Sequence, residues 1–155
     1  PYEIIVLSEN SGLLEFVSNS ISLDEMKKKS EGCSISKFFS DVFQTEEAIR
    51  KAKENFVRSL AGSSILTYVL KLKDRHNGNI LIDMEGNIIH IDFGFILGMA
   101  PGNLNFESSP FKFTAEYVEL LGGKDSDHYK SMATLFCAGM MALRKRVEEL
   151  TLILE

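Results

Sequence analysis

A predicted β-hairpin joins the two most distinctive polar segments of this chain. Two short β-prone runs, Ile80–Asp83 and Asn87–Ile91, flank a Glu-Gly pair that favours a tight turn. The segment Asp74–Asn79 precedes the first run, and Asp92–Gly94 follows the second. Because the open ends of two hairpin strands lie side by side, the sequence predicts that these two segments meet at one end of a small sheet.

The side chains of these two segments have the chemistry that phosphoryl transfer needs. That reaction requires a group that orients the attacking hydroxyl and oxygen ligands for the magnesium that bridges the nucleotide phosphates. Asp74 stands five residues before Asn79, as in protein-kinase catalytic loops, and Asp92 begins an Asp-Phe-Gly tripeptide. Each match is weak alone, but together they favour a kinase-type site in which Asn79 and Asp92 share a metal. His90 alternates with isoleucines and is expected to be a packed strand residue.

The composition of the chain is that of one globular domain. It has 155 residues, of which 45% are hydrophobic and 25% charged, and this excludes wholesale disorder. Seventeen Lys and Arg residues against 22 Asp and Glu residues give a net charge of −5, which argues against a nucleic-acid partner. The two cysteines, Cys33 and Cys137, are too few and too far apart for a disulfide framework, so we expect a reducing, cytoplasmic location.

Turn and capping residues predict the elements that surround the hairpin. Two apolar runs at Tyr2–Leu7 and Leu13–Val17 predict two further strands. Ser22 and Glu25 have the spacing of a capping box, which predicts a short helix.

Longer helical patterns occupy the rest of the chain. Thr45 begins one helix, in which Gly62 is expected to mark a close-packing point; Thr114 begins another, which Gly122–Gly123 ends. From Asp125 the helical period continues to the end of the chain. One buried stripe is predicted along the first of these helices: Ile49, Ala52, Phe56, Leu60 and Ser63.

The polar motifs, read together, resemble one enzyme family. The order Asp-Arg-His-x-x-Asn at 74–79, followed by Asp-Phe-Gly at 92–94, resembles the phosphatidylinositol 3-/4-kinase superfamily, whereas protein kinases have the order His-Arg-Asp. Longer stretches at Lys73–Leu81, Gly86–Leu97 and Phe106–Thr114 are similar to the type III phosphatidylinositol 4-kinases, and to the beta type more than to the alpha type. The resemblance extends over nearly the whole chain.

The resemblance implies an α+β fold. It would comprise a kinase-like large lobe, mainly helical with a short β-hairpin, plus the last strands and the hinge of the small lobe. Residues 1–12 would end the small lobe, 13–18 would form the hinge, and 19–155 would form the large lobe, with the chain truncated at both ends. The family places its phosphate-clamping loop and lysine upstream of these residues, so we expect the 155 residues alone to transfer no phosphate at a measurable rate.

The resemblance also implies roles in catalysis and metal binding. Asp74 would accept or orient the proton of the lipid hydroxyl, while His76 would be either the base itself or a stabiliser of developing charge. The sequence leaves both assignments open. Asn79 and Asp92 would hold Mg²⁺ (or Mn²⁺), and Arg75 would have a structural role.

A second set of residues is implied to bind ATP. Backbone groups of Glu15 and Val17 in the hinge would hydrogen-bond the adenine, and Leu81 and Ile91 would pack under the base. Without the motifs, a packed core is the preferred interpretation of these apolar residues. The full implied set is Leu14, Glu15, Phe16, Val17, Leu81 and Ile91.

The stretch that follows the Asp-Phe-Gly motif bears on which lipid accepts the phosphate. No Lys or Arg occurs between Phe93 and Phe111, although a site for an already phosphorylated inositol ring should carry cations there. This favours unphosphorylated phosphatidylinositol, with Phe93, Gly94 and Lys112 as candidate contacts. A surface role for Lys112 is the alternative. The apolar residues of this stretch either lie against the membrane or fold back on the lobe: Phe95, Ile96, Leu97, Met99, Leu104 and Phe106.

These expectations combine into one functional hypothesis and two rivals. The chain is expected to be part of a phosphatidylinositol 4-kinase that transfers the γ-phosphate of ATP to the 4-hydroxyl of phosphatidylinositol. The rivals are a phosphatidylinositol 3-kinase that uses unphosphorylated lipid and a noncatalytic, kinase-like scaffold. By family likeness, the protein would be cytoplasmic and peripheral on Golgi-type or other internal membranes. Recruiting proteins would bind regions outside this chain.

Overall fold

The computed structural model describes residues 2–29, 34–99 and 109–154, which form the predicted α+β fold. Helices dominate, and the strands form two small antiparallel sheets. The elements in chain order are β1 (Ile4–Ser8), β2 (Ser11–Leu14), β3 (Ser20–Ser22), α1 (Leu23–Lys29), α2 (Ile35–Val42), α3 (Glu46–Val69), a 3₁₀ turn (Asn77–Asn79), β4 (Ile80–Asp83), β5 (Ile88–His90), α4 (Ala115–Leu120), α5 (Asp127–Arg144) and α6 (Val147–Leu154).

The three-stranded sheet has the order β3–β4–β5 and contains the predicted hairpin. Ile80 pairs with His90 across β4 and β5, and both Ile80 and Ile82 are completely buried. Gly86 turns the hairpin at φ 86°, and an added Cβ would lie only 2.7 Å from the Ala52 carbonyl oxygen of α3. Strand β3 was not predicted, because three residues carry too little pattern to be found without their partner strand.

Helix α3 supports this sheet and organises the aromatic core. The Ser59 hydroxyl accepts a hydrogen bond from the Ile88 amide at 3.0 Å, which ties the helix to β5. Phe56 makes edge-to-face contacts with Phe39 of α2 and Tyr117 of α4, at centroid distances of 5.9 and 5.5 Å. This geometry is favourable for aromatic pairs, so three helices converge on one ring.

The predicted helix ends are confirmed where side chains cap the backbone. The Thr45 hydroxyl accepts from the Ala48 amide at 3.1 Å, and the Ser22 hydroxyl accepts from the Glu25 amide at 3.0 Å. Thr114 caps α4 in the same way, and Gly122–Gly123 ends it with φ values of 90° and 91°. Glycine suits this left-handed backbone because it carries no Cβ.

Several details of the predicted helices are wrong. In α3 the buried stripe continues through Ser64 and Thr67, while Ser63 is only half-buried. Gly62 is exposed, and an added Cβ would meet nothing within 4 Å. The close contact between α3 and α5 lies at Gly139 instead, where Ile65 occupies the space that a side chain would need.

The number of helices also differs from the sequence-based expectation. Helix α2 was not predicted, although the spacing by four of Ile35, Phe39 and Phe43 was its signal. The helical segment predicted from Asp125 onward consists of two helices, α5 and α6, which are divided at 145–146. Turn bonds there, such as Arg146 amide to Leu143 carbonyl at 2.9 Å, replace the α-helical pattern. Among the described residues, no helix is long and apolar enough to cross a membrane.

Strands β1 and β2 form a separate hairpin. The first agrees with the run predicted at Tyr2–Leu7, but β2 is Ser11–Leu14, so the strand predicted at Leu13–Val17 is wrong beyond Leu14. The two strands pair antiparallel, with Ile5 opposite Leu13, and every residue of both strands is exposed. The Tyr2 hydroxyl donates to the His90 carbonyl oxygen at 3.2 Å and so links this hairpin to the three-stranded sheet.

Candidate active site

Arg75 holds the loop between α3 and β4 against the segment that follows β5. Its guanidinium is buried and donates to the carbonyl oxygens of Lys73, Ile91 and Asp92. It also lies 5.7 Å from the centroid of the Phe93 ring. These contacts agree with the structural role expected of Arg75, and they bring the Asp74–Asn79 loop next to Asp92.

Asp74 and His76 face each other on this loop. Asp74 has a φ of 61°, a left-handed conformation that Asp adopts more readily than most residues. The Nε2 atom of His76 lies 3.9 Å from Oδ2 of Asp74, and its Nδ1 atom accepts a hydrogen bond from the Gly78 amide at 3.0 Å. In neutral histidine the proton is then on Nε2, which is the atom that faces Asp74.

The fit of the imidazole depends on Gly78. A Cβ at this position would lie 2.9 Å from Cε1 and 3.0 Å from Nδ1 of His76. Any larger residue would therefore displace the His76 ring from its place beside Asp74.

Asn79, the last residue of the 3₁₀ turn before β4, and Asp92, two residues after β5, each have a side-chain oxygen atom. The Ile91 amide donates to the Asn79 carbonyl oxygen at 3.1 Å, which sets Asn79 across from the residue that precedes Asp92. The side-chain amide of Asn79 donates to the Asp74 carbonyl oxygen at 3.0 Å, so its Oδ1 is turned away from that carbonyl. Oδ1 of Asp92 accepts from the Gly94 amide at 3.2 Å. A carboxylate and an amide oxygen are hard donors that fit Mg²⁺ or Mn²⁺.

A cleft of about 730 Å³ extends from the predicted hinge residues to Asp92. The predicted hinge residues 14–17 line one side of it, and Leu81, Ile91, Asp92 and Phe93 line the other. All six residues expected to bind the nucleotide therefore share one cavity with a predicted metal ligand. The sequence did not single out the remaining lining residues for this cleft: Ser20, Ser22, Glu25 and Gly78.

The candidate lipid contacts lie in two places. Phe93 lines the cleft and Gly94 bonds to the Asp92 carboxylate. Lys112 is turned toward the Asp74–Asn79 loop, where its ammonium donates to the Arg75 carbonyl oxygen at 3.0 Å and to Oδ1 of Asn77 at 2.7 Å.

The apolar residues after the Asp-Phe-Gly motif differ in their exposure. Phe95 and Ile96 are half-buried, whereas Leu97 and Met99 are more than half exposed. Leu104 and Phe106 lie outside the described residues.

His90 is the packed strand residue that the sequence predicted. It is 9% exposed, and burial, with smaller contributions from the positive charges of Arg75 and Lys112, lowers its pKa to about 4. The side chain is therefore neutral at physiological pH, and its contribution is to packing.

Comparison with known proteins decides the family. The family model for phosphatidylinositol 3- and 4-kinase matches residues 1–155, the whole chain. The chain belongs to this family. Its relatives include phosphatidylinositol 4-kinase beta from Danio rerio, 46% identical over 157 residues, and from Homo sapiens, 46% identical over 156. Both alignments cover 100% of this chain and 19% of the relative, so this family member spans about a fifth of the length of the curated relatives it matches.

Proposed function

We propose that this chain contributes the hinge and large lobe of a 1-phosphatidylinositol 4-kinase, which transfers the γ-phosphate of ATP to the 4-hydroxyl of phosphatidylinositol. The observation that carries the proposal is the shared cleft, because it unites the hinge residues, the apolar floor and Asp92 beside the Asp74–Asn79 loop. The beta-type relatives favour the 4-kinase over the 3-kinase and over a noncatalytic scaffold. Residues 1–12 end the small lobe, 13–18 form the hinge, and 19–155 form the large lobe.

In this proposal ATP occupies the cleft with its adenine at the hinge. Backbone groups of Glu15 and Val17 hydrogen-bond the base, Leu14 lines the back of the pocket, and Leu81 and Ile91 pack under the base. Phe16 also lines the cleft. Asn79 and Asp92 hold Mg²⁺ near the phosphates. The metal supplies charge neutralisation at the phosphate oxygens during transfer.

The local geometry favours Asp74 as the base and His76 as a hydrogen-bond donor. Nδ1 of His76 is engaged by the Gly78 amide, so its Nε2–H is available to stabilise negative charge that develops beside Asp74. The lipid hydroxyl oxygen forms the new bond to the γ-phosphorus while the bond to the bridging oxygen of ADP breaks. The hydroxyl proton passes to the Asp74 carboxylate.

The lipid approaches from the side of the Asp-Phe-Gly motif. Phe93 and Gly94 stand beside Asp92, and the exposed Leu97 and Met99 provide apolar contact with the membrane interface. The acceptor is unphosphorylated phosphatidylinositol, because cations are absent from the sequence between Phe93 and Phe111. The protein contacts Golgi-type or other internal membranes peripherally, and recruiting proteins bind other regions of the full-length enzyme.

The deciding experiment is phosphate transfer by the full-length parent protein to phosphatidylinositol vesicles, with chromatographic assignment of the ring position. We expect a 4-phosphate product from the wild type and a loss of at least about 100-fold in Asp92→Asn. The matched control Asp41→Asn removes an exposed carboxylate on α2 and should retain full activity. A 3-phosphate product would assign the protein to the 3-kinases. No product, with Mg-ATP still bound, would indicate a scaffold.

A second variant tests the arrangement of Asp74 and His76. Gly78→Ala should reduce kcat by about 10- to 100-fold, because the added methyl displaces the His76 ring. The apparent melting temperature should change little, since the ring is free to move toward solvent. Wild-type kcat in this variant would contradict a role for the observed His76 position.

A further inference from the structure

Two short segments, one before residue 100 and one after residue 108, are hydrogen-bonded to the chain between α3 and β4. On the N-terminal side, the Lys73 amide donates to the Phe95 carbonyl oxygen at 2.9 Å, and the Leu97 amide donates to the Leu70 carbonyl oxygen at 2.7 Å. On the C-terminal side the connection is made by the side chain of Lys112.

The two hydrogen-bond acceptors of Lys112 belong to residues that lie between Asp74, His76 and Asn79 in the sequence. One acceptor is the carbonyl of Arg75, the residue between Asp74 and His76. The other is the side chain of Asn77, the first residue of the 3₁₀ turn that ends at Asn79. A single ammonium group therefore fixes both the peptide that precedes His76 and the turn that leads to a predicted metal ligand.

We infer that Lys112 is a positioning residue. From its place in the segment C-terminal to the Asp-Phe-Gly motif, it holds the Asp74–Asn79 loop in its active arrangement. The inference rests on the proposed kinase function. It gives Lys112 a role different from contact with the lipid phosphate, because its ammonium bonds to a backbone carbonyl and a side-chain amide of the loop. Lys112 is half-buried, and charge-assisted hydrogen bonds of this kind are stronger than neutral ones.

The test compares Lys112→Met with Lys112→Arg in the full-length parent enzyme. Methionine keeps the apolar stem and removes the charge, so kcat should fall by about 10- to 100-fold, as for other residues that orient metal-binding groups. KM for phosphatidylinositol should stay within about twofold, since the lipid itself loses no contact. Arginine retains a cationic donor and should restore most of kcat. Lys130→Met, at an exposed lysine of α5, is the matched control and should behave as the wild type.

A second measurement does not depend on lipid turnover. The magnesium concentration that half-saturates ATP binding, read by thermal shift, should rise about tenfold or more in Lys112→Met and stay unchanged in Lys130→Met. This readout separates the two proposals. If the wild type binds Mg-ATP but phosphorylates no lipid, the lipid-kinase function is contradicted. The inference about Lys112 is then decided by the magnesium dependence of ATP binding alone.

Other outcomes would overturn the inference. A raised lipid KM with unchanged kcat would place Lys112 at the headgroup, and an unchanged kcat, KM and magnesium dependence would remove any positioning role. If Lys112→Met does not fold, Asn77→Ala replaces it, because this variant deletes one acceptor and leaves Lys112 intact. Asn77→Ala should then lower kcat and magnesium affinity in the same sense, and wild-type values would contradict the inference.

Discussion

The two hairpins of this protein are built from similar residues but differ in what supports them. Strands β1 and β2 contain Ile5 and Leu13, which are 51% and 57% exposed. Strand β4 contains Ile80 and Ile82, both 0% exposed. Helix α3 packs against β5, and the buried isoleucines of β4 and β5 share one core with Phe56 and Leu60 of α3. A short apolar run is thus sufficient to form a hairpin, whereas the free energy gained from it depends on a partner surface.

The largest expected effect comes from the same substitution made in each hairpin. Ile82→Ala should lower the free energy of unfolding by about 2–5 kcal/mol, because it leaves a cavity at a fully buried site. Ile5→Ala should cost less than about 1 kcal/mol, since that side chain is half exposed. Urea unfolding at pH 7 provides both values. Equal losses in the two variants would show that the exposed hairpin is as well supported as the buried one.

The turn of the buried hairpin should be nearly as sensitive. Gly86→Ala should cost about 2–4 kcal/mol, because a Cβ there would collide with the backbone of Ala52 and the φ of 86° disfavours alanine. Gly62→Ala is the matched control, since nothing lies within 4 Å of its Cβ and alanine favours the helix. That control should raise the free energy of unfolding by up to about 1 kcal/mol. A stable Gly86→Ala variant would mean that the hairpin can withdraw from α3.

A substitution at Tyr117 measures how much its buried hydroxyl destabilises the core. Among the described residues its buried hydroxyl has no hydrogen-bond partner, so Tyr117→Phe should raise the free energy of unfolding by about 1 kcal/mol. Burial also raises the pKa of Tyr117, with a smaller contribution from Glu116. The unfolded chain therefore ionises first, and stability should fall as the pH rises above about 10. The Phe variant should lose this part of the alkaline slope, and an unchanged slope would contradict the assignment.

The smallest effect concerns the link between the two hairpins. Tyr2→Phe deletes the hydrogen bond to the His90 carbonyl and should cost about 0.5–1.5 kcal/mol. Hydrogen exchange should report faster opening of β1 and β2 in this variant, with the amides of β4 and β5 unaffected. Equal acceleration in both hairpins would show that they open as one unit. The opposite signs expected for Tyr2→Phe and Tyr117→Phe distinguish a satisfied hydroxyl from an unsatisfied one.

Much of the candidate site was predictable because its residues lie close together in sequence. The hairpin between Asn79 and Asp92 is a local structure, so its turn residues alone predicted that the two groups would approach each other. The six residues expected to bind the nucleotide were inferred from the family resemblance, and the structure brings them into one cleft. The position of Lys112 could not be predicted, since it depends on contacts 35 and 37 residues away in the chain.

The amino-acid sequence was enough to predict the β4–β5 hairpin, the capped helices and the glycine stop after α4, and its motifs pointed to the family. These follow from turn, capping and motif residues, whose effects extend over a few positions. Three features required the folded structure: which hairpin is buried, the contact between α3 and α5 at Gly139, and the reach of Lys112 to the Asp74–Asn79 loop. Such features arise from packing between distant segments, and the free energy of packing depends on the partner surface, which no local pattern specifies.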